Sequence, residues 1–392
     1  MQFKHARAAM SAVFDDRNLV SAAGLVPMLR LTQQTGLAEL AQDRLSVPTD
    51  KGSNAGAKVT ALVAGMLAGA DSIDDMNLLR HGGMGRLFHR TYAPSTLGSF
   101  LREFQFGHVR QLDGVASRVL VNLTSQTPLL PAGPVFVDLD DTIIEVHGYQ
   151  KQGAGFGYSG VRGLNALLAT ASTSASAPVI LAQRLRKGAA GSPRGAARIV
   201  ADALATLRRM NTGTRVLVRA DSAFYGYATV GAAIKAGADV SVTVRMDPAV
   251  KAGIAQIPDD AWTTIEYTDA IRDETTGQWI SRAEVAEIPF AAFRSRKKAE
   301  QVTGRLVVRR IPDLNPRQVE QPTLFDTWRH HAFFTTTDPE TMDTVAADKT
   351  HRGHAIIEQV HADLKHGPLA HLPSGVFAAN SAWLVLAVIA FN

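Results

Sequence analysis

The spacing of hydrophobic and polar residues changes once along the chain, close to residue 130. Before that point apolar residues recur at helical spacing, most clearly over 58–68 and 108–123. After it come short apolar runs of strand length, and from residue 178 onward these alternate with helical segments. Three consecutive strands followed by alternating helices and strands predict a mixed sheet covered by helices.

Breaks in this pattern predict four parts of the chain. Residues 1–130 are helical, and a linker with three prolines leads into the first part of the mixed sheet, 131–247. Residues 248–340 have the pattern of antiparallel strands with polar connections, and 341–392 that of final helices. The predicted fold class is therefore α/β, with an all-β insertion and an N-terminal helical domain.

Arginines are scattered along the short helices of the first part. Short helices joined by tight turns could form a DNA reader of helix-turn-helix type. A plain helical domain with solvated arginines explains the same pattern equally well. Helix starts are expected at Ser72 and at Pro94, with Ser95 as the N-cap of the second. The arginines are Arg80, Arg86, Arg90, Arg102 and Arg110.

Three of the four tryptophans fall in the third part, among basic residues. Tryptophans in such a setting ordinarily pack a small sheet. Aromatic side chains between basic residues can alternatively stack on unpaired nucleobases, and this remains the less favoured hypothesis. The three residues are Trp262, Trp279 and Trp328.

Composition narrows the class of protein without fixing its function. The 392 residues are 46% hydrophobic and 20% charged, which is typical of a soluble globular protein. A net charge of +5 permits a polyanionic partner. The absence of cysteine excludes disulfides and thiolate zinc sites. Residues 1–10 lack the apolar core expected of a signal peptide, and the longest apolar run, 383–391, is too short to cross a bilayer.

The stretch 134–146 predicts a buried strand that ends on a cluster of carboxylates. Asp138 and Asp140 are two residues apart, so both point to the same side of a strand. Two like charges at this spacing repel each other unless a proton or a divalent cation lies between them. Oxygen ligands favour Mg²⁺ or Mn²⁺. The alternative is a strand end with solvated aspartates.

Two further carboxylates occur in matching settings. Asp221 ends the apolar strand 216–222, and Glu358 lies on a predicted continuous helix, 351–365. Residues 353, 357, 360 and 364 form the apolar stripe of this helix; residues 351, 354, 358, 361 and 365 form its polar stripe. Lys365 follows Glu358 by two turns, roughly 10 Å along the axis. One carboxylate could thus bind a metal while the lysine reaches a phosphate, and a solvated helix face is the alternative.

Taken in order, these motifs resemble the DDE transposases of bacterial insertion sequences. The resemblance covers roughly residues 135–392 and is closest to the branch whose RNase H-like core is interrupted by a β insertion. It implies an RNase H-like mixed sheet and a catalytic set of Asp140, Asp221 and Glu358. The matching stretches are 138–142 with 147–148, 163–169, 219–222 and the Glu358 helix as far as 367–369.

Two departures from the family pattern bear on the site. The family helix reads Tyr-x2-Arg-x3-Glu-x6-Lys, and His351 and His354 take the Tyr and Arg positions here. Lys365, Arg352, His354 and His351 are therefore the predicted DNA-phosphate contacts. Asp140 is preferred as the first acidic residue because it stands in an Asp-x-Thr setting, and Asp138 is kept as an additional candidate metal ligand.

The resemblance also implies chemistry and partners. The three carboxylates would hold two Mg²⁺ (or Mn²⁺) ions, cut DNA at the ends of the element and join the freed ends to target DNA. Terminal inverted repeats, target DNA and a second copy in a synaptic homodimer would be the partners. The expected location is the bacterial cytoplasm, at the nucleoid, with no membrane association.

Two other functions compete with this prediction. The stretch 138–142 also resembles the opening motif of haloacid-dehalogenase-like phosphatases, with Asp138 as nucleophile and Asp140 as acid/base. That family also needs a later lysine and then a pair of acidic residues. Lys187 could serve as the lysine, but Asp221 has no acidic neighbour before Asp239. A catalytically dead transposase-derived DNA-binding protein is the second competitor, since relatives normally continue past the helix that ends at Asn392 and a truncated copy is expected.

Overall fold

The computed structural model describes residues 16–88, 90–131, 133–148, 150–213, 215–272, 279–312 and 328–392. Residues 1–15 of the predicted helical domain lie outside this part of the chain, as does the side chain of Trp279.

The described N-terminal part is helical, as predicted. The expected helices at 58–68 and 108–123 are confirmed, whereas the helix expected from Ser72 is a 3₁₀ segment, Asp74–Arg80. Ala93, and not Ser95, is the N-cap of the helix that opens at Pro94, because the fixed φ of proline suits the first helical position. The helices are α1 (Leu25–Gln34), α2 (Leu37–Arg44), α3 (Ala55–Leu67), α4 (Pro94–Arg102) and α5 (Phe106–Gln126).

A mixed sheet of ten strands follows within the described residues, and it confirms the α/β fold class. The order is β2-β3-β1-β5-β6-β10-β9-β8-β7, with β4 paired to β3. The strands are β1 (Val135–Glu145), β2 (Gly155–Phe156), β3 (Arg162–Ser172), β4 (Val179–Lys187), β5 (Val216–Ala220), β6 (Asp239–Thr243), β7 (Thr263–Arg272), β8 (Trp279–Ala292), β9 (Val302–Pro312) and β10 (Trp328–Thr335).

Six helices complete the described fold after β1. The first three follow the strands of the sheet, and the last three form the C-terminal part. They are α6 (Ala196–Met210), α7 (Tyr227–Lys235), α8 (Pro248–Ile254), α9 (Thr344–Arg352), α10 (Ile356–Lys365) and α11 (Phe377–Phe391).

The strands predicted as an insertion extend the central sheet. β7 to β10 are antiparallel neighbours, and β10 pairs with β6 through Phe333–Thr243 and Thr335–Ser241. The sheet therefore continues from β6 into these strands through regular backbone hydrogen bonds.

The N-terminal and C-terminal helices share one hydrophobic core. Trp383 of α11, Leu62 of α3, Phe100 of α4 and Leu112 of α5 are fully buried in the same cluster. At the end of α11, the Asn392 side-chain amide bonds the backbone N–H and carbonyl of Ile180, at 2.8 and 2.9 Å. No helix in the described ranges is long and apolar enough to cross a membrane.

Candidate active site

Two carboxylates lie side by side where β5 ends against β1. β1 and β5 are parallel neighbours with Leu139 opposite Ala220, so Asp221, directly after β5, lies beside Asp140. The sequence could not decide whether these two strands were neighbours. The prediction that β1 ends on its carboxylates was wrong, because pairing with β3 continues this strand to Glu145. Asp141 is buried and pairs with Arg186 at 2.5 Å.

The charge of Asp140 acts on Asp221. Burial and then the negative charge of Asp140 raise the pKa of Asp221, while its hydrogen bond from Ala223 N–H (3.0 Å) and the nearby His354 oppose the shift. Asp140 keeps partial contact with solvent. A cation between the two carboxylates would relieve their repulsion.

Asp138 is neutralised inside the protein. Its side chain is 0% exposed, and its two oxygens accept hydrogen bonds from Arg219 Nε and Nη2, both at 2.7 Å. His354 Nδ1 lies 3.0 Å from the same carboxylate. The additional metal-ligand role predicted for Asp138 does not fit this arrangement, and neither does a nucleophilic role, because both oxygens are already engaged.

Arg219 connects three elements around the site and was missed as a functional residue at the sequence level. Besides bonding Asp138 on β1, its Nη1 donates to the Thr350 carbonyl in α9 at 2.6 Å. A Cβ on Gly353 would lie 2.7 Å from that nitrogen, so this position suits glycine. The available signal was an arginine within an apolar strand, two residues before Asp221.

The helix predicted over 351–365 is interrupted, so this prediction was wrong in one respect. α9 ends at Arg352, a 3₁₀ turn covers Gly353–Ala355, and α10 begins at Ile356. Residues 357, 360 and 364 of the expected apolar stripe are buried, whereas Gly353 is exposed. The turn lies where the chain passes the Arg219 guanidinium.

α10 packs against β1 and presents His361 to the carboxylates. His361 is buried, contrary to its expected place on a polar stripe, and its Nε2 lies 3.5 Å from Asp140 Oδ2. Neither ring nitrogen has a hydrogen-bond partner among the described residues. Glu358, one turn earlier, is exposed. Burial lowers the pKa of Lys365, one turn later, and the charge of Asp140 opposes that shift.

The four predicted phosphate contacts lie in different environments. His351 is enclosed: its Nδ1 and Nε2 lie 2.9 Å from the hydroxyls of Ser241 and Thr243, and burial lowers its pKa to about 3. A phosphate contact from His351 therefore does not fit. Arg352 Nε donates to Asp348 at 2.9 Å. His354 contacts Asp138, and Lys365 lines an open cavity.

This cavity is lined by residues of β1 and α10 that neighbour the carboxylates in sequence or in space. Its volume is about 640 Å³, and Thr142 and Lys365 place it next to Asp140 and α10. Lys151 and Tyr158 also line it. Its lining contains two lysines, Lys151 and Lys365, against one acid, Glu145, and this excess of positive charge suits a phosphodiester substrate.

Comparison with known families agrees with this geometry. A family model described as transposase DDE domain group 1 matches residues 3–392. The chain belongs to this DDE transposase family. The search of curated proteins found no match. Membership of the transposase family removes the support for the phosphatase alternative, which requires Asp138 as an accessible nucleophile.

The donor chemistry of this transposase suits a hard divalent cation at two of the three predicted acids. Asp140 and Asp221 offer adjacent carboxylate oxygens, which Mg²⁺ and Mn²⁺ prefer. Within the described ranges, no three His, Cys, Asp or Glu side chains gather closely enough to hold a metal ion. Asp140 and Asp221 offer the donor atoms that suit the cation, whereas Glu358 is not gathered with them.

Two of the three tryptophans singled out in the sequence, Trp262 and Trp328, pack against the side chain of Arg310. The Arg310 guanidinium lies 4.2 Å from the ring centre of Trp262 and 4.4 Å from that of Trp328. One face of each indole is thus occupied, which matches the packing role that the sequence favoured.

Proposed function

We propose that this protein is a DNA transposase that cuts the ends of an insertion sequence and joins them to target DNA by two-metal phosphoryl transfer. The observation that carries the proposal is the parallel pairing of β1 with β5, which brings Asp140 beside Asp221. Asp140, Asp221 and Glu358 are the proposed catalytic residues. His361 and Lys365, on the same helix as Glu358, support this assignment through their proximity to Asp140.

Each proposed residue has a distinct task. Asp140 and Asp221 would hold Mg²⁺ or Mn²⁺, and Glu358 would complete the ligand set when DNA occupies the cavity. The bound cations would supply charge neutralisation for the attacking and leaving oxygens. Lys365 would bind the scissile or a neighbouring phosphate through its ammonium group. His354 would help to keep Asp138 in place, since its Nδ1 lies 3.0 Å from the Asp138 oxygen that also accepts a hydrogen bond from Arg219 Nε.

The reaction needs two successive displacements at phosphorus. In the first, water attacks a phosphodiester at the element end, the P–O3′ bond breaks and a 3′-hydroxyl is released. In the second, that hydroxyl attacks a target phosphodiester and one target P–O bond breaks. Cutting and pairing two inverted repeats calls for two copies of the chain, so a synaptic homodimer is part of the proposal, acting on nucleoid DNA in the bacterial cytoplasm.

The N-terminal helices are proposed to contact the DNA backbone of the repeats. Arg80, Arg86 and Arg102 are exposed there. Since α3, α4 and α5 share a core with α11, such contacts would be held rigidly relative to the catalytic sheet.

The test is strand cleavage of a DNA fragment carrying the flanks of the gene, with and without Mg²⁺. The native chain is compared with Glu358→Gln and with Glu340→Gln, a matched control at an exposed turn. We expect Mg²⁺-dependent nicking that Glu358→Gln abolishes and Glu340→Gln retains, with flank binding unchanged in both. Nicking that survives in Glu358→Gln would refute the assignment. Tight binding without any nicking by the native chain would instead identify a catalytically dead DNA-binding descendant.

A further inference from the structure

Three arginines without carboxylate partners come together where α2, α5 and α6 meet. Arg44 is the last residue of α2, Arg118 lies in the middle of α5 and Arg209 lies in the last turn of α6. Among the described residues, none of the three pairs with a carboxylate. The proposed catalysis uses none of these side chains, which we call the arginine cluster.

Side-chain hydrogen bonds hold the three helices together around the arginine cluster. Gln111 of α5 binds the residues that follow α2: its Oε1 accepts from Ser46 N–H at 3.0 Å, and its Nε2 donates to Ser46 Oγ at 2.8 Å. Ser117 of α5 lies 2.9 Å from the Thr206 hydroxyl of α6 and accepts a hydrogen bond from Arg209 Nη2 at 2.7 Å. The guanidinium groups are therefore carried by a fixed frame, which lowers the entropy lost when a ligand binds to them.

The positive charges of the arginine cluster act on one another. Burial and then the charges of Arg44 and Arg209 lower the pKa of Arg118, so the three guanidinium groups lie within electrostatic range. Arg118 Nη1 donates to the Gly114 carbonyl of its own helix at 2.9 Å, and this bond leaves its charge uncompensated. Positive charges gathered without a counter-charge favour an anion that binds between them.

A cavity between α5 and α6 adjoins the arginine cluster. Its volume is about 270 Å³, and Arg209 is part of its lining. Two carboxylates also line the cavity, but Asp113 and Asp202 accept hydrogen bonds from Arg110 at 2.6 and 3.0 Å. These acids are thus balanced by an arginine of their own, and the charge of Arg209 stays available to an anion from outside.

The α6 side of the arginine cluster lies away from the catalytic acids. α6 packs in the same hydrophobic cluster as Val137 and Leu139 of β1. Because side chains alternate along a strand, these two residues point away from the face that carries Asp138 and Asp140. A ligand held by α6 is therefore on the other face of the sheet from the phosphate that would be cut.

We propose that Arg44, Arg118 and Arg209 bind backbone phosphates of duplex DNA outside the catalytic cavity. The choice of ligand rests on the proposed transposase function, and the site adds a DNA contact to it. Arginines from three helices spread positive charge over an open surface, which suits the repeating phosphates of a duplex better than a small enclosed anion. Arg208, also exposed in the last turn of α6, adds to this charge.

The salt dependence of DNA binding tests this site. Fluorescence anisotropy measures the affinity of a fluorescein-labelled flank duplex over a KCl series, without divalent metal so that no cleavage occurs. Each phosphate contact contributes about 0.9 to the slope of log affinity against log salt, so Arg44→Gln/Arg118→Gln/Arg209→Gln should lower the slope by about 2–3. Arg198→Gln is the matched control on α6, because Arg198 already pairs with Asp202 at 3.0 Å, and it should keep the native slope.

Two further variants separate the effect of charge from an effect on folding. Replacing all three arginines by lysine keeps the positive charges and should keep the native slope. Arg44→Gln/Arg209→Gln changes exposed side chains alone and should lower the slope by about 2. A triple glutamine variant with the native slope would overturn the site, and so would a triple lysine variant that loses as much slope as the glutamine variant. A native chain that binds no duplex would overturn it as well.

A chemical crosslink tests where the duplex lies. The chain contains no cysteine, so Ala205→Cys introduces a single thiol on the exposed side of α6, one turn before Arg209. Its thiolate displaces bromide from a duplex that carries bromoacetyl groups on phosphorothioates, and one S–C bond forms. We expect crosslinked DNA with Ala205→Cys and little with Glu340→Cys, at an exposed turn elsewhere in the chain. A yield from Ala205→Cys no higher than that from Glu340→Cys would overturn the proposed position.

Failure of this inference is distinguishable from failure of the proposed function. A native chain that does not nick flank DNA, but whose salt slope depends on the three arginines, keeps the phosphate site without the proposed catalysis. A native chain that nicks flank DNA with Mg²⁺, and whose triple glutamine variant keeps the native slope, rejects the phosphate site alone.

Discussion

Replacing Arg219 by methionine would remove the cation that holds the centre of the site together. The guanidinium is 4% exposed and the Asp138 carboxylate 0%, and two hydrogen bonds of 2.7 Å join them. The same guanidinium lies 4.6 Å from the Phe136 ring centre and donates to the Thr350 carbonyl. Methionine has a similar length without the charge, so Arg219→Met leaves a buried carboxylate with His354 as its remaining partner.

The expected cost is large because one charge stays buried without its counter-ion. Breaking a buried ion pair by removing one partner costs about 3–5 kcal/mol. Removing both charges avoids this penalty, so the double variant Arg219→Met/Asp138→Leu should recover most of the free energy of unfolding, to within about 1–2 kcal/mol of the native chain. The effect of the pair is therefore strongly non-additive.

Urea unfolding followed by tryptophan fluorescence and circular dichroism measures these differences. Arg198→Met is the control: Arg198 is exposed and pairs with Asp202 at 3.0 Å, one helical turn away. Its loss should cost less than about 0.5 kcal/mol. An Arg219→Met variant as stable as Arg198→Met, or a double variant no more stable than Arg219→Met, would refute the reasoning from an uncompensated buried charge.

Three further outcomes follow from individual side chains. The pKa of His351 is about 3 in the folded chain, against 6.5 ordinarily, so between these pH values only the unfolded chain binds the proton. Stability therefore falls as pH falls. Between pH 6.5 and pH 5, the free energy of unfolding of the native chain should fall by about 2 kcal/mol more than that of His351→Gln, as measured by urea titration. Equal losses in the two proteins would contradict this. His361→Phe should weaken Mn²⁺ binding about 10-fold, measured by calorimetry, because the imidazole beside Asp140 is lost. His361→Gln retains a hydrogen-bond donor and should bind Mn²⁺ nearly normally. Identical affinities in both variants would count against a role for His361. Lys365→Ala should weaken DNA binding and lower the slope of log affinity against log salt by about one, and an unchanged slope in a KCl series would exclude its phosphate contact.

Local sequence patterns predicted most of the strands and helices near the site. The apolar run 135–137 followed by aspartates identified β1, and a similar run identified the strand that ends before Asp221. Side chains repeat every 2 residues along a strand and every 3.6 residues along a helix. Both repeats involve residues close in sequence, so they can be recognised without knowing the fold. The same reasoning located α10 and its buried residues 357, 360 and 364.

Interactions between distant parts of the chain could not be predicted in this way. Asp138 and Arg219 are separated by 81 residues, and Asp138 and His354 by 216. These contacts neutralise the charge of Asp138. The residues of the stretch 138–142 do not indicate that such contacts form. The enclosure of His351 between Ser241 and Thr243 depends equally on β6, which the helical pattern of 351–365 does not reveal.

The contrast between Asp138 and Asp140 explains how one strand can carry both a structural and a proposed catalytic carboxylate. Both aspartates point to one side of β1, but the register of β5 gives Asp138 the fixed guanidinium of Arg219 as its neighbour. Asp140, two residues further along β1, lies where β5 ends and Asp221 follows. Within the described residues, His361 at 3.5 Å is the group at ion-pairing distance from Asp140. The charge of Asp138 is thus balanced inside the protein, whereas the charges of Asp140 and Asp221 are not. A divalent cation and the phosphate it binds are the partners that such an imbalance favours.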